Sequence, residues 1–410
     1  MSAAFETPAK RAKIPKNEKV YVCFLDVVDF DNWEALFILL MLYRKVYIVL
    51  TSRAVNAELA PAMVNFQTKK VTVDRGGVKQ PEMDTATFFN DVKAKADQSV
   101  NQADSLKLVQ IHLEFMDNYL RSKGFTNYKL FNGGYAEKPG LTSDLHKLCH
   151  LFPNEAGNDF CTAEEYKERE AAWFKMTLLQ RRTAFDAIPV TKDFPTVAVL
   201  VEELRETGPV PIAAWFLGPM TAAAQVFSHK DLLDRVGEAY VMGACWDATG
   251  KSNLLGVCFN YGVDLQAAVF VLQKLLENEN CRTLFVPTET TKNAVVPSFC
   301  EDDYLGTGLQ SEALRHGRNT WNKIKGGNQP PYDAAACVPS ENYVERGLVC
   351  AVEHAMDGAM AVTEKPDGTV TTVEEWAEAK GFYAVKKPDT PDKCHAIKDL
   401  LVGTFRTLFN

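Results

Sequence analysis

The sequence predicts an α/β fold with a mostly parallel central sheet and flanking helices, and three observations lead there. Apolar runs of strand length recur along the chain (VYVCFL, VYIVLTS, PIAAWFLG, AYVMGA, RTLFVPT). They are nearly continuous rather than alternating, as in strands buried on both faces. Between them lie stretches whose apolar residues repeat at helical spacing, the order expected of parallel strands joined by crossover helices.

Taken in order, residues 20–25 read as a buried strand, Trp33 to Tyr43 as a helix, and 46–52 as a second strand, which together form a β-α-β unit. The alternation returns with TVAVLVEEL near 196, PIAAWFLG near 211 and AYVMGA near 239, all strand-like. VDLQAAVFVLQKLLENE from 263 is helix-like, and RTLFVPT near 282 is a further strand. Between about 57 and 195 strand-like runs are few, and charged helical stretches such as EEYKEREAAWFKMTLLQRR dominate. The expectation is a basic leader over 1–18, then a single α/β domain over 19–410 carrying a helical insertion at about 57–195. No internal repeat or low-complexity tract is visible.

Composition excludes several classes of function. With 410 residues, 46% of them hydrophobic, the chain can bury a large core. A net charge of -8, from 45 basic and 53 acidic residues, gives no general attraction to nucleic acid or to an anionic membrane. The 10 cysteines form no C-x-x-C pair and no dense framework, which suits reduced thiols in a cytoplasmic compartment. The leader has no apolar core for a signal peptide, and no stretch of about 18 apolar residues could span a bilayer. Its basic PAKRAKIPK could be a nuclear address, although a solvated leader is the commoner reading of such a cluster.

The most informative stretch is CFLDVVDFDNWEALFILLML, residues 23–42, where Asp26, Asp29, Asp31 and Glu34 separate two apolar runs. Ligands of open parallel sheets bind outside the carboxyl ends of strands, and these acids occupy such an end. Crowded carboxylates resist ionisation unless a cation sits among them, and Ca²⁺ takes six to eight oxygen ligands of this kind. The plainer alternative is that Asp31 or Asn32 caps the helix while the other acids stay in water.

Other segments fall in line behind this turn. It resembles the acidic motif D-x-D-P-G-x-D-D-A of the nucleoside hydrolase family (inosine-uridine preferring nucleoside hydrolase-like), with Asp29 at its second Asp and Glu34 at its last. TSRAVN, ending at Asn56, resembles T-x-x-x-G-N; LGPMT from Leu217 resembles G-P-L-T-N; and VMGA from Val241 is similar to the M-G-G turn. FNYGVDLQAA, with Asn260 and Asp264, resembles F-N-x-x-x-D-P-x-A-A; the strand ending at Thr291 is like one ending in D-V-T-H; and Tyr332-Asp333 is like H-D before an alanine-rich helix. The matches run in the family's order from residue 20 to about 340.

The resemblance implies a calcium-dependent hydrolase of the N-glycosidic bond of purine or pyrimidine ribonucleosides, a glycosidase of the kind used in purine salvage. Carried over residue by residue, Asp29 would take the proton of a metal-bound water, and Asp29, Glu34, Asp333 and a backbone carbonyl near Val241 would hold Ca²⁺. Asn56 and Asn260 would bind the ribose. The metal lowers the pKa of its water and the carboxylate removes the proton.

The chain also departs from that pattern. The paired D-D is Trp33-Glu34, so the carboxylate for the ribose 2'-hydroxyl is an indole unless Asp26 or Asp31 substitutes for it. The glutamate of the ribose-binding motif is Cys258, and the histidine that assists the leaving base is Tyr332. Each lost polar partner costs about 1 to 3 kcal/mol, so several together would lower affinity and rate by orders of magnitude. Two readings therefore stand open: a glycosidase with an unusual substrate, and a catalytically degraded pseudoenzyme kept for binding or assembly. In the second, the 57–195 insertion could carry a protein partner, and a homo-oligomer is open in either case.

Other chemistries find less support. Asp29 to Trp33 lacks the hydroxyl or β-branched residue of a phosphatase D-x-D motif, and no phosphate-cradling glycine motif is present. His146, Cys149 and His150 could share a helix face as a zinc half-site, but no partner cluster accompanies them.

Overall fold

The structure, a computed structural model, describes residues 19–26, 29–56, 62–65, 70–75, 78–79, 83–84, 100–139, 153–243, 251–253, 259–288, 290–291, 306–357, 359–370 and 372–410. The leader 1–18, the His146/Cys149/His150 group and Cys258 lie outside them. The chain opens with β1 (Val20–Leu25), α1 (Phe30–Leu42) and β2 (Val46–Asn56). Next come β3 (Ala62–Asn65), β4 (Lys70–Arg75), β5 (Val78–Lys79), β6 (Met83–Asp84), β7 (Val100–Asn101), α2 (Gln102–Ser122) and β8 (Tyr128–Pro139). Helices α3 (Ala163–Lys175), α4 (Leu178–Asp186) and α5 (Val197–Glu206) lead to β9 (Ile212–Leu217), α6 (Thr221–Phe227), α7 (Lys230–Leu233), β10 (Val236–Met242) and β11 (Lys251–Asn253). Then follow α8 (Phe259–Val263), α9 (Leu265–Glu277), β12 (Arg282–Val286), α10 (Leu309–Lys325), α11 (Tyr332–Cys337) and α12 (Ser340–Glu345). The chain closes with β13 (Val349–Asp357), β14 (Ala359–Thr369), α13 (Val373–Glu378), β15 (Gly381–Val385) and α14 (Pro391–Phe409).

Among the described residues the main sheet has 11 strands, ordered β11-β14-β13-β15-β12-β10-β9-β1-β2-β7, with β8 also paired to β2. From β8 through β2, β1, β9, β10 and β12 to β15 every pairing is parallel, and β13, β14 and β11 extend one side antiparallel. The expected α/β architecture is therefore present. Alternate residues of the central strands feed two cores. Cys23 and Leu25 of β1 with Trp215 and Leu217 of β9 face α1 and α11, while Val22, Phe24, Ala214 and Phe216 face α5, α6 and α9. Helix α1 is buried from Phe30 through Leu40, as befits a helix enclosed by neighbours on all sides.

Two expectations need correction. TVAVLVEEL is not a strand but α5, with Val197, Leu200, Val201 and Leu204 buried. Their i, i+3, i+4, i+7 spacing is helical, and it outweighs the β-branched content that suggested a strand. Nor is the 57–195 insertion only helical. It carries β7 and β8 of the main sheet and a separate four-stranded antiparallel sheet of β3 to β6.

Candidate functional site

The acids sit where β1 gives way to α1, and the geometry separates them into two groups. Asp26, at the carboxyl end of β1, and Asp31, in the first turn of α1, are buried together with Asp333, in the first turn of α11. The backbone N–H of Asp333 donates to Asp31 Oδ2 at 3.1 Å. The Asn32 side-chain amide donates to Asp333 Oδ2, and its own Oδ1 accepts from the backbone N–H of Asp29 at 3.2 Å. So Asp333 reaches the acidic turn from far along the chain, and it meets Asp31 and Asn32 rather than Asp29 and Glu34.

Close approach at this end depends on a glycine. A Cβ on Gly218, just after β9, would collide with the backbone nitrogen of Asp26. The G-P of the LGPMT stretch thus serves strand packing beside the acids.

Burial sets the electrostatics. It pushes the Asp31 carboxyl up to about 8, with the Asp29 charge adding to the rise, while the Asp333 N–H and Arg318 work against it. Asp333 is raised well above the ordinary carboxylate range, again chiefly by burial and then by Asp31, Asp26 and Asp29. These groups therefore feel one another as a cluster of like charge.

Glu34 belongs to a different set of contacts. Arg318 of α10 grips it with Nε to Oε1 at 2.7 Å and Nη2 to Oε2, and both side chains are fully buried. The third arm, Nη1, donates to the Gln329 carbonyl at 2.7 Å. Burial pushes the Glu34 carboxyl up to about 7, and the Arg318 charge opposes that rise. The expected calcium ligand is thus an arginine partner. The reason is physical: an all-round buried helix cannot hold a lone carboxylate, and the nearest compensating charge comes from α10.

The remaining predicted residues scatter. Asp29 is the N-cap of α1 with a side chain 53% exposed and 4.0 Å from Lys325 Nζ, at the mouth of the cluster rather than within it. A crevice walled by Trp33, Phe160 and Trp321 opens beside it. Trp33 does not line the acids. Its indole is buried edge-on against Phe115, Tyr119 and Phe160, with ring centroids 5.0–5.6 Å away. Val241 is a buried residue of β10, paired with Phe216 on one side and Phe285 on the other. Asn260 ties α8 to the end of β9 through Nδ2 to the Leu217 carbonyl, 3.2 Å. Asp264 caps α9 and accepts from Thr221 Oγ1 at 2.6 Å, so two resembling motifs are joined by a structural hydrogen bond. Tyr332 opens α11 and packs half-buried against the core. Asn56 ends β2, paired with Val100 of β7, and its side chain lies outside the described residues.

Fitted against calcium, this donor set disagrees with the expectation. Both Glu34 oxygens accept guanidinium N–H groups, and an amide N–H is aimed at Asp333. Among the described residues no group of three or more His, Cys, Asp or Glu is arranged to hold a metal ion. Sequence reasoning missed Arg318, gave Asn32 only its capping role, and passed over the buried Ser52–His112 pair, Oγ to Nδ1 at 3.1 Å. Within LQSEALRHGRNTWNKIK nothing local marks Arg318, rather than Arg315, as the buried arginine.

No protein-family model matches the chain, and no curated protein matches it. Among solved structures it is similar to the effector protein XOO4466, at 11% identity and TM-score 0.49, covering 97% of this chain and 95% of that one. It is also similar to the inosine-uridine preferring nucleoside hydrolase from Bacillus anthracis, at 12% identity and TM-score 0.42, covering 94% and 99%. Among the described residues no helix is long and apolar enough to cross a membrane.

Proposed function

We propose that the chain is a nucleoside hydrolase-like binding protein, which takes a hydroxyl-bearing ligand of the ribonucleoside class at the strand-end acids and turns it over slowly or not at all. The observation that carries this reading is the contact between Asp31 and Asp333, which gathers buried carboxyl groups at the carboxyl end of β1, where ligands of parallel sheets bind. Burial raises both carboxyls toward the protonated form, which can donate as well as accept and so suits sugar hydroxyls. The contacts of Glu34 with Arg318 and of Trp33 with the aromatic core speak against the family's rate.

Calcium-dependent hydrolysis of a ribonucleoside is the second reading. Mutual repulsion among Asp26, Asp31 and Asp333 favours it, since a cation among them would relieve the cost. Equilibrium binding of a ribonucleoside panel to the native protein and to Asp333→Asn, with free base release assayed on the same panel, separates the two. The first reading expects binding weakened by about tenfold in the variant and no calcium-dependent release. Calcium-dependent base release that is lost in Asp333→Asn would establish the second. Absence of binding across the panel would end the first.

A further inference from the structure

We propose that Arg318 is the resident cation for Glu34, a built-in counterion that lets the fold bury this carboxylate behind the strand-end acids without a divalent metal. The inference goes beyond the binding reading, because it concerns what neutralises the site whether or not a ligand is turned over.

The geometry is that of a built-in counterion. All three guanidinium nitrogens are engaged, two on Glu34 and one on the Gln329 carbonyl. A bidentate fork of this kind is the strongest form of carboxylate recognition, and full burial removes competing water. The charge reaches past Glu34, since it also draws Asp31 toward its ionised form.

The approach of α10 is shaped to deliver this charge. Gly317, the residue before Arg318, lies against the Phe30 ring so closely that a Cβ would overlap it. The guanidinium in turn lies 5.6 Å from the centre of that ring. A helix crossing at this distance brings the arginine against α1, onto the Glu34 carboxylate.

The chemistry then excludes a divalent ion at Glu34. A fully buried guanidinium already chelates both Glu34 oxygens, and its charge repels a second cation there. Displacing the guanidinium would strand one buried charge to bind another.

A double-mutant cycle tests the proposal, with Arg318→Met, Glu34→Leu and the two combined, read by denaturant unfolding in millimolar calcium and in EDTA. The native protein should unfold at the same midpoint in both media. Each single variant should lower the folding equilibrium constant by about a hundredfold or more, because it leaves a buried charge uncompensated, and the double variant should recover most of that loss. A native midpoint that rises in calcium, and no longer rises in Asp333→Asn, would overturn the proposal. So would single losses that simply add in the double variant, or a double variant that does not fold. Single variants too unstable to fold beside a folded double variant give the expected result in its strongest form. Failure of the binding reading would show separately, as nucleosides that do not bind while this cycle behaves as described.

Discussion

At the scale of single residues, steric space and buried charge decide more than residue type. Gly317 shows the competition. Alanine is the better helix former by about 1 kcal/mol, yet a Cβ at 317 would overlap Phe30. Overpacking costs about 1 to 3 kcal/mol, so Gly317→Ala should lower stability on urea unfolding; a rise would mean that α10 has room to retreat. His112 is a second case. Burial drops its pKa to about 3, below the unfolded value of about 6.5, so protonation favours the unfolded chain. Its contribution to stability is complete above about pH 6.5 and is lost as pH falls toward 3, at about 1.4 kcal/mol per unit. Stability of His112→Gln should therefore fall less steeply than that of the native protein between about pH 6 and pH 4. Equal slopes would show that the imidazole is not the group that titrates.

At the scale of elements, the indole in the acidic turn is explained by the packing of α1 against α2. Trp33 on α1 joins Phe115 and Tyr119 of α2 and Phe160 before α3, so one residue of the acidic turn anchors α2 and the approach to α3. Trp33→Ala should cost about 3 to 5 kcal/mol and should raise amide hydrogen exchange in α2 more than in β9. Exchange that rises evenly through the sheet would contradict the anchoring role. Much of this scale was legible in the sequence. The β1-α1-β2 unit, β9, β10, α9 and β12 stand where apolar period and run length put them. Helix α5 did not, because its valines mimic a strand, and β8 did not, because YKLFNGGYAEKP mixes charge and glycine with few apolar residues. The site was legible only in part: motif order brought Asp333 to the acidic turn, but that it meets Asp31 and Asn32 while Glu34 turns to Arg318 depends on where α10 and α11 cross α1, and no local pattern encodes a crossing.

At the scale of the whole molecule, the segment after residue 345 completes the sheet rather than trailing from it. β15 pairs with β12 in parallel, β13 pairs with β15, and β14 and β11 follow. Leu401, Phe405 and Phe409 of α14 enter the core that covers α1. Truncation after residue 345 should thus uncover the edge of β12 and the outer face of α1, giving aggregated protein on size-exclusion chromatography. A monodisperse, folded truncation would mean the tail is an accessory.

The account turns on what neutralises the acids at the end of β1. Equilibrium dialysis of the native protein against radioactive calcium measures this most directly. The account predicts no site-stoichiometric binding at millimolar calcium. One calcium retained per chain, and lost in Asp333→Asn, would contradict it.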